Sequence, residues 1–113
     1  MTFYGANENL HAVWDTGLIR KRAPFGWEVL AVELANEIET QQTEAWKQNL
    51  DPVEWGDESL EITKGLYPPE HTLGEAYYDD HIEIVEDRLK AAGVRLGALL
   101  NKTLGGAEVT AAP

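Results

Sequence analysis

The chain has 113 residues, 43% hydrophobic and 26% charged, enough for one small domain with a core and too short for two. Its net charge of −11 excludes a sequence-independent nucleic-acid binder built on a basic surface, because phosphate contacts need Lys and Arg. That charge leaves open a site whose positive charge is a bound metal ion. The absence of cysteine excludes a disulfide framework, a thiolate metal site and a Cys nucleophile. No run of about eighteen apolar residues occurs, so no membrane span is expected. The start, Met1-Thr2-Phe3-Tyr4-Gly5, lacks the basic and apolar regions of a signal peptide.

In chain order, Thr2 to Tyr4 suit a strand end and Gly5 to Asn7 a turn. Asn9 to Ile19, NLHAVWDTGLI, reads as a first helix with Asn9 as its N-cap and Gly17 weakening it near its end. His11 and Asp15 are four residues apart, so they share one helix face, and an imidazole nitrogen and a carboxylate oxygen can converge on one metal ion. Leu10, Val13, Trp14, Leu18 and Ile19 supply apolar surface around them. On spacing alone, H-x-x-x-D fits an exposed ion pair better than a metal pair. Arg20-Lys21-Arg22 places favourable charge at the helix C-terminus, a reading preferred to a phosphate contact.

A second helix is expected from Phe25 to about Gln42, with Trp27, Leu30, Ala31, Leu34 and Ile38 as its apolar stripe. Glu33 and Glu37 are one turn apart but lack a nearby His, so a solvated acidic face is favoured over a metal pair. Thr43 to Asn49 suits a further short helical piece. Asp51-Pro52 starts a third helix running to about Tyr67, with Trp55, Ser59, Ile62 and Leu66 inward. Glu58 is either exposed or paired with a buried polar group, and no catalytic role is assigned to it. Pro68-Pro69 ends this segment.

His71 and Glu75 form a rival four-residue pair, but Thr72-x-x-Glu75 reads as a capping box that occupies Glu75. The fourth helix is expected over 73–104. Tyr78, Ile82, Val85, Leu89, Ala92, Leu96 and Leu99 form a 4-3-4-3-4-3 seam packed on helices two and three. His81 defaults to a surface or interface position, and Gly93-x-x-x-Gly97 suggests close backbone packing. Asn101-Lys102-Thr103 is a glycosylation sequon, meaningful only in a secreted eukaryotic protein. Residues 105–113 read as a disordered tail. The expected fold class is all-α, with four main helices.

The string N-L-H-A-V-W-D-T-G-L-I resembles the last metal-binding motif of the zinc-dependent single-strand nucleases of the S1/P1 type, within the zinc phospholipase C/nuclease superfamily. Trp55-Gly56-Asp57-Glu58-Ser59 is similar to the family's W-A-x-E-S segment. Gly93-Val94-Arg95-Leu96 with Leu99-Leu100-Asn101 resembles its terminal G-V-R-L-x-x-x-L-N helix, and the three occur in the family's order. The resemblance implies that residues 1–104 are the C-terminal portion of a multi-helix phospholipase C/nuclease-like domain. It implies a phosphodiesterase that uses three zinc ions to cut single-stranded DNA and RNA to 5′-phosphorylated products. Only His11 and Asp15 carry over as metal ligands, sharing one zinc with an upstream histidine. The chain alone is therefore expected to bind zinc weakly and to be inactive. Secretion or a periplasmic location follows from the same resemblance. A zinc phospholipase C or phosphatase on the same scaffold, or a helical interaction module that lost most of the site, are the alternatives. Stripes on helices one and two would lose partners, favouring self-association through exposed apolar faces.

Overall fold

A computed structural model describes residues 1–105, and the tail expected over 105–113 lies, apart from Gly105, outside the described residues. Two short strands, β1 (Thr2–Phe3) and β2 (Ala6–Asn7), open the chain as an antiparallel hairpin. Tyr4 and Gly5 turn it, both at positive φ (50° and 84°), the backbone that tight two-residue hairpins require. A third strand, β3 (Thr72–Leu73), pairs parallel with β1, giving the order β2-β1-β3. The architecture is otherwise helical.

The first helix runs to Arg22 without a break, further than its sequence suggested. It begins as α1 (Leu10–Ala12), widens into a π turn at Val13–Gly17, and returns to α geometry as α2 (Leu18–Arg22). Asn9 caps it as expected, its Oδ1 accepting from the Ala12 N–H at 2.8 Å. In the π turn the Leu18 N–H donates to the Val13 carbonyl, and both side chains are fully buried. Gly17 does more than weaken this helix. A Cβ there would stand 3.1 Å from the Phe3 ring, so glycine lets β1 lie directly on the π turn. Phe3, Val13, Leu18, Leu73, Tyr77 and Val85 form the core around this contact.

The helix expected over 25–42 ends sooner, as α3 (Trp27–Glu37), and the short helical piece expected over 43–49 starts earlier, as α4 (Thr40–Gln48). Ile38 is extended (ψ 125°) and Glu39 restarts the chain with a capping box. Its own N–H donates to Gln42 Oε1 at 3.2 Å while its side chain accepts from the backbone of that residue. The expected helix three is α5 (Pro52–Thr63), capped by Asp51, whose Oδ1 accepts from the Val53 N–H at 2.9 Å. It stops short of Tyr67, because the chain turns at Lys64 and Gly65 and then buries Leu66.

The long last helix, α6 (Glu75–Leu100), continues into a π turn at Asn101–Gly105. Its start differs from the expected capping box. Thr72 is committed to β3, Gly74 is the cap residue without a side-chain bond, and Glu75 accepts from the Tyr4 hydroxyl and pairs with Lys21 at 3.2 Å. Lys21 also lies about 5 Å above the rings of Tyr4 and Tyr78 (5.0 and 4.9 Å), so one ammonium ties the hairpin, α2 and α6 together.

The expected seam of α6 is only half covered. Tyr78, Ile82 and Val85 pack into or against the core, but Leu89 and Leu96 are 39% and 58% exposed. Further along the helix the buried residues are Ala91 and Arg95. The cause is electrostatic. Arg95, 5% exposed, forks onto Glu58 of α5 with two bonds of 2.8 Å, and Arg88 adds one of 3.0 Å. That draws the Arg88–Arg95 side of α6 inward in place of the Leu89–Leu96 side. Gly93 and Gly97, expected to be close-packed, face open space.

The two arginines hold the Glu58 carboxyl down at about 2, the Arg95 bonds contributing most. The sign follows from that depression. The pair's stabilisation is complete above the ordinary carboxylate value of 4.5 and is lost as pH falls through about 2. Glu58 is itself half-exposed, so solvent moderates the effect. Urea unfolding should show Glu58→Ala losing about 2 kcal/mol, because it strands a buried guanidinium. Arg95→Met should lose less, since the remaining carboxylate keeps Arg88 and water. Glu58→Gln should remove part of the wild-type stability loss below pH 4.5.

Candidate metal centre

His11 and Asp15 come together as their spacing predicts. His11 Nε2 and Asp15 Oδ2 are 2.7 Å apart on the exposed side of the first helix, where the side chains are 84% and 64% exposed. The π turn starts between them, at Val13, so the pair sits where the helix changes geometry. Two ligands bound tetrahedrally to one zinc stand about 3.3 Å apart for metal–ligand distances of about 2.0 Å. The pair would need to open by about half an ångström to hold an ion, a small movement for two exposed side chains. Donor types and placement therefore fit zinc, but they are two donors. Among the described residues no group of three or more His, Cys, Asp or Glu is placed to hold a metal.

A cleft of about 520 Å³ adjoins the pair. Leu10, Trp14, Ile62, Leu66, Tyr67 and Ile84 give it apolar and aromatic walls, and Ser59, Thr63 and Arg88 are its other polar residues. Trp14 is fixed from behind. Its Nε1 donates to the Tyr77 hydroxyl at 2.8 Å, which in turn donates to the Leu66 carbonyl at 2.8 Å. Burial pushes the Tyr77 hydroxyl above its usual range, which keeps it a donor. Arg88 spans the cleft and the Glu58 pair, donating to Ser59 Oγ at 2.9 Å and to Glu58. Sequence reasoning assigned Arg88 nothing. The available signal was its position seven residues before Arg95, two turns along one helix face.

The rival residues fall elsewhere. His71 is exposed and its carbonyl accepts from the Thr2 N–H at 2.6 Å, while Glu75 is taken by Tyr4 and Lys21. His81 stacks on Tyr77 at 4.1 Å, edge-on to Trp14, with Nδ1 at 2.8 Å from the Tyr77 carbonyl. Glu33 pairs with Arg22 and Glu37 with Lys90, so both acids join helices where a merely solvated face was expected. Within the basic cluster, Lys21 and Arg22 are likewise used in ion pairs, Arg22 reaching Glu86 at 2.9 Å as well as Glu33. The Trp55–Ser59 and Gly93–Asn101 segments, which carried the resemblance besides the first helix, meet through Glu58 and Arg95, with the Arg95 guanidinium 5.4 Å above the Trp55 ring.

The family model for S1/P1 nuclease matches residues 1–105. This chain belongs to the S1/P1 nuclease family. Among curated relatives, Endonuclease 4 of Arabidopsis thaliana is 32% identical over 117 residues, covering 88% of this chain and 39% of that protein. Endonuclease 5 of the same plant is 28% identical over 118 residues, covering 90% and 40%. The chain thus spans about two fifths of the length of the curated relatives it matches. No solved structure matches it.

In this chain of the S1/P1 nuclease family the His11 and Asp15 side chains are widely exposed, so their mutual contact contributes little to folding. His11→Ala and Asp15→Ala should each shift the free energy of unfolding by no more than about 0.5 kcal/mol in chemical denaturation. A larger loss would show that the pair is a structural element.

Proposed function

We propose that this chain is the C-terminal portion of a zinc-dependent endonuclease and supplies His11 and Asp15 to one zinc ion. The observation that carries this reading is the convergence of those two donors, at 2.7 Å, within a chain of the S1/P1 nuclease family. When bound, zinc supplies Lewis-acid activation of a phosphodiester and of the water that attacks it. His11 and Asp15 hold and orient; neither is a nucleophile, and the chain has no cysteine to serve as one.

The substrate in this reading is single-stranded DNA or RNA, cut to 5′-phosphorylated products. The cleft beside the pair supports it. Its aromatic and apolar walls suit an unstacked base, which single strands offer and duplexes do not. Arg88 brings positive charge to that cleft in an otherwise acidic chain. Export goes with this reading through the family likeness, and no helix among the described residues is long and apolar enough to cross a membrane. Among the described residues only two candidate ligands stand together, where a catalytic zinc site takes three protein ligands, and this favours one second reading. In it the fold persists as a helical interaction module and the pair is a remnant.

Zinc titration of the purified chain separates the two. The nuclease reading expects one weakly held zinc whose affinity falls at least about tenfold in Asp15→Ala and in His11→Ala, the loss of one of few ligands. It also expects turnover of single-stranded DNA by the chain alone to stay at background. Zinc binding unchanged in both variants would refute the ligand assignment, and no binding to the folded chain would favour the remnant. Robust turnover by the chain alone would refute the claim that its site is incomplete.

A further inference from the structure

The ion-pair cluster that joins α5 to α6 does not balance. Glu58 brings one negative charge to two guanidiniums, Arg88 and Arg95. Arg95 satisfies the carboxylate by itself, with a 2.8 Å bond to each oxygen. Arg88 adds a longer bond of 3.0 Å to an oxygen already taken, and its other bond, 2.9 Å, goes to the neutral Ser59 hydroxyl. A buried ion needs its partner, whereas an exposed one has water. Arg95 is the buried one, so the surplus positive charge belongs to Arg88, whose side chain is 31% exposed.

That charge opens onto the cleft beside His11 and Asp15, where Arg88 is the one Lys or Arg among the described lining residues. The carboxylate in the same cleft, Asp15, is engaged by His11. Arg88 also has donors to spare, since its Nε takes part in neither of its bonds. A planar guanidinium with free N–H groups matches the paired oxygens of a phosphate. The cleft, about 520 Å³, falls within the range of about 300–1,000 Å³ of small-molecule sites. Trp14, fixed by Tyr77, and the exposed Tyr67 offer it aromatic surface, on which a base stacks whatever its sequence.

We infer that Arg88 takes a backbone phosphate of a single strand whose base lies against Trp14 and Tyr67. The inference rests on the reading of this chain as part of a nuclease site, and it adds the residue that holds the strand there without help from a metal. Arg95 makes this possible. It keeps Glu58 neutralised, so Arg88 can give up its 3.0 Å bond to a phosphate and strand no buried charge. Other cations are worse placed. Lys21, Arg22, Lys64 and Lys90 are each spent on carboxylates, and none of them lines the cleft.

Thymidine and its 5′-monophosphate differ only in the phosphate, so NMR titration of the zinc-free chain with each isolates that contact. The monophosphate should bind at least about tenfold more tightly, the worth of one charge-assisted contact, and the gap should narrow as salt is raised. Arg88→Gln should bring the monophosphate to within about twofold of thymidine and leave thymidine binding unchanged, because Arg95 still holds Glu58 and with it the cleft wall. Lys47→Gln, at an exposed position on α4, should leave the preference intact. If Arg88→Gln weakens thymidine as well, Arg88→Lys decides: a retained preference supports the contact and a lost one overturns it. No binding of the monophosphate, equal binding of the two ligands, a preference that survives Arg88→Gln, or an equal loss in Lys47→Gln would each overturn the inference. Zinc titration of the same preparation keeps the two readings apart. Zinc bound through Asp15 without a phosphate preference sinks only the Arg88 contact, and a preference carried by Arg88 without zinc binding sinks only the metal site.

Discussion

A guanidinium taken out of water must be paired, and the burial of Arg95 organises the helical half of this protein. Glu58 meets it with both carboxylate oxygens, and Arg88 shares one of them. That triad attaches α5 to α6 and decides which side of the long helix turns inward. The same Arg88 reaches Ser59 and lines the cleft beside His11 and Asp15. One electrostatic requirement therefore sets the position of a wall of the candidate site and leaves the leucine-glycine side of α6 facing out.

The other end of the molecule is organised by close contact together with one ammonium. Phe3 rests on Gly17, inside the π turn, and the hairpin that carries Phe3 is pinned by Lys21 between two tyrosine rings. Val13 and Leu18, fully buried, anchor the inner side of that turn. His11 and Asp15 stand on its outer side, exposed and free of packing constraints. A rigid inner face under an exposed donor pair is a sound arrangement for metal ligands, because the backbone is held while the two side chains can adjust to an ion.

Both halves converge on Tyr77. Its hydroxyl receives Trp14 from the first helix and donates to Leu66 at the end of the α5 connection. His81 stacks on its ring. The cleft beside His11 and Asp15 is thus framed by residues from three separate stretches. Its walls hold their shape through hydrogen bonds behind the aromatic surfaces.

Local chemistry was readable from the residues. Asn9 and Asp51 announced two helix starts, and the i, i+4 spacing of His11 and Asp15 their convergence, because caps and helix periodicity act over a few residues. The strings NLHAVWDTGLI, WGDES and GVRL carry the family likeness by themselves, since each is a short run whose residue order is its signature. The helix break at Ile38 was legible in principle through Glu39 and Gln42, but an unbroken apolar stripe masked it. Other features were out of reach, since they depend on residues far apart in sequence. Thr72 became a strand because β1 lay beside it. Gly17 lacks a side chain where the Phe3 ring, fourteen residues upstream, rests against the π turn. The inward side of α6 was chosen by a carboxylate 37 residues upstream, since a buried charge must find its partner wherever the fold brings one and periodicity carries no record of that choice.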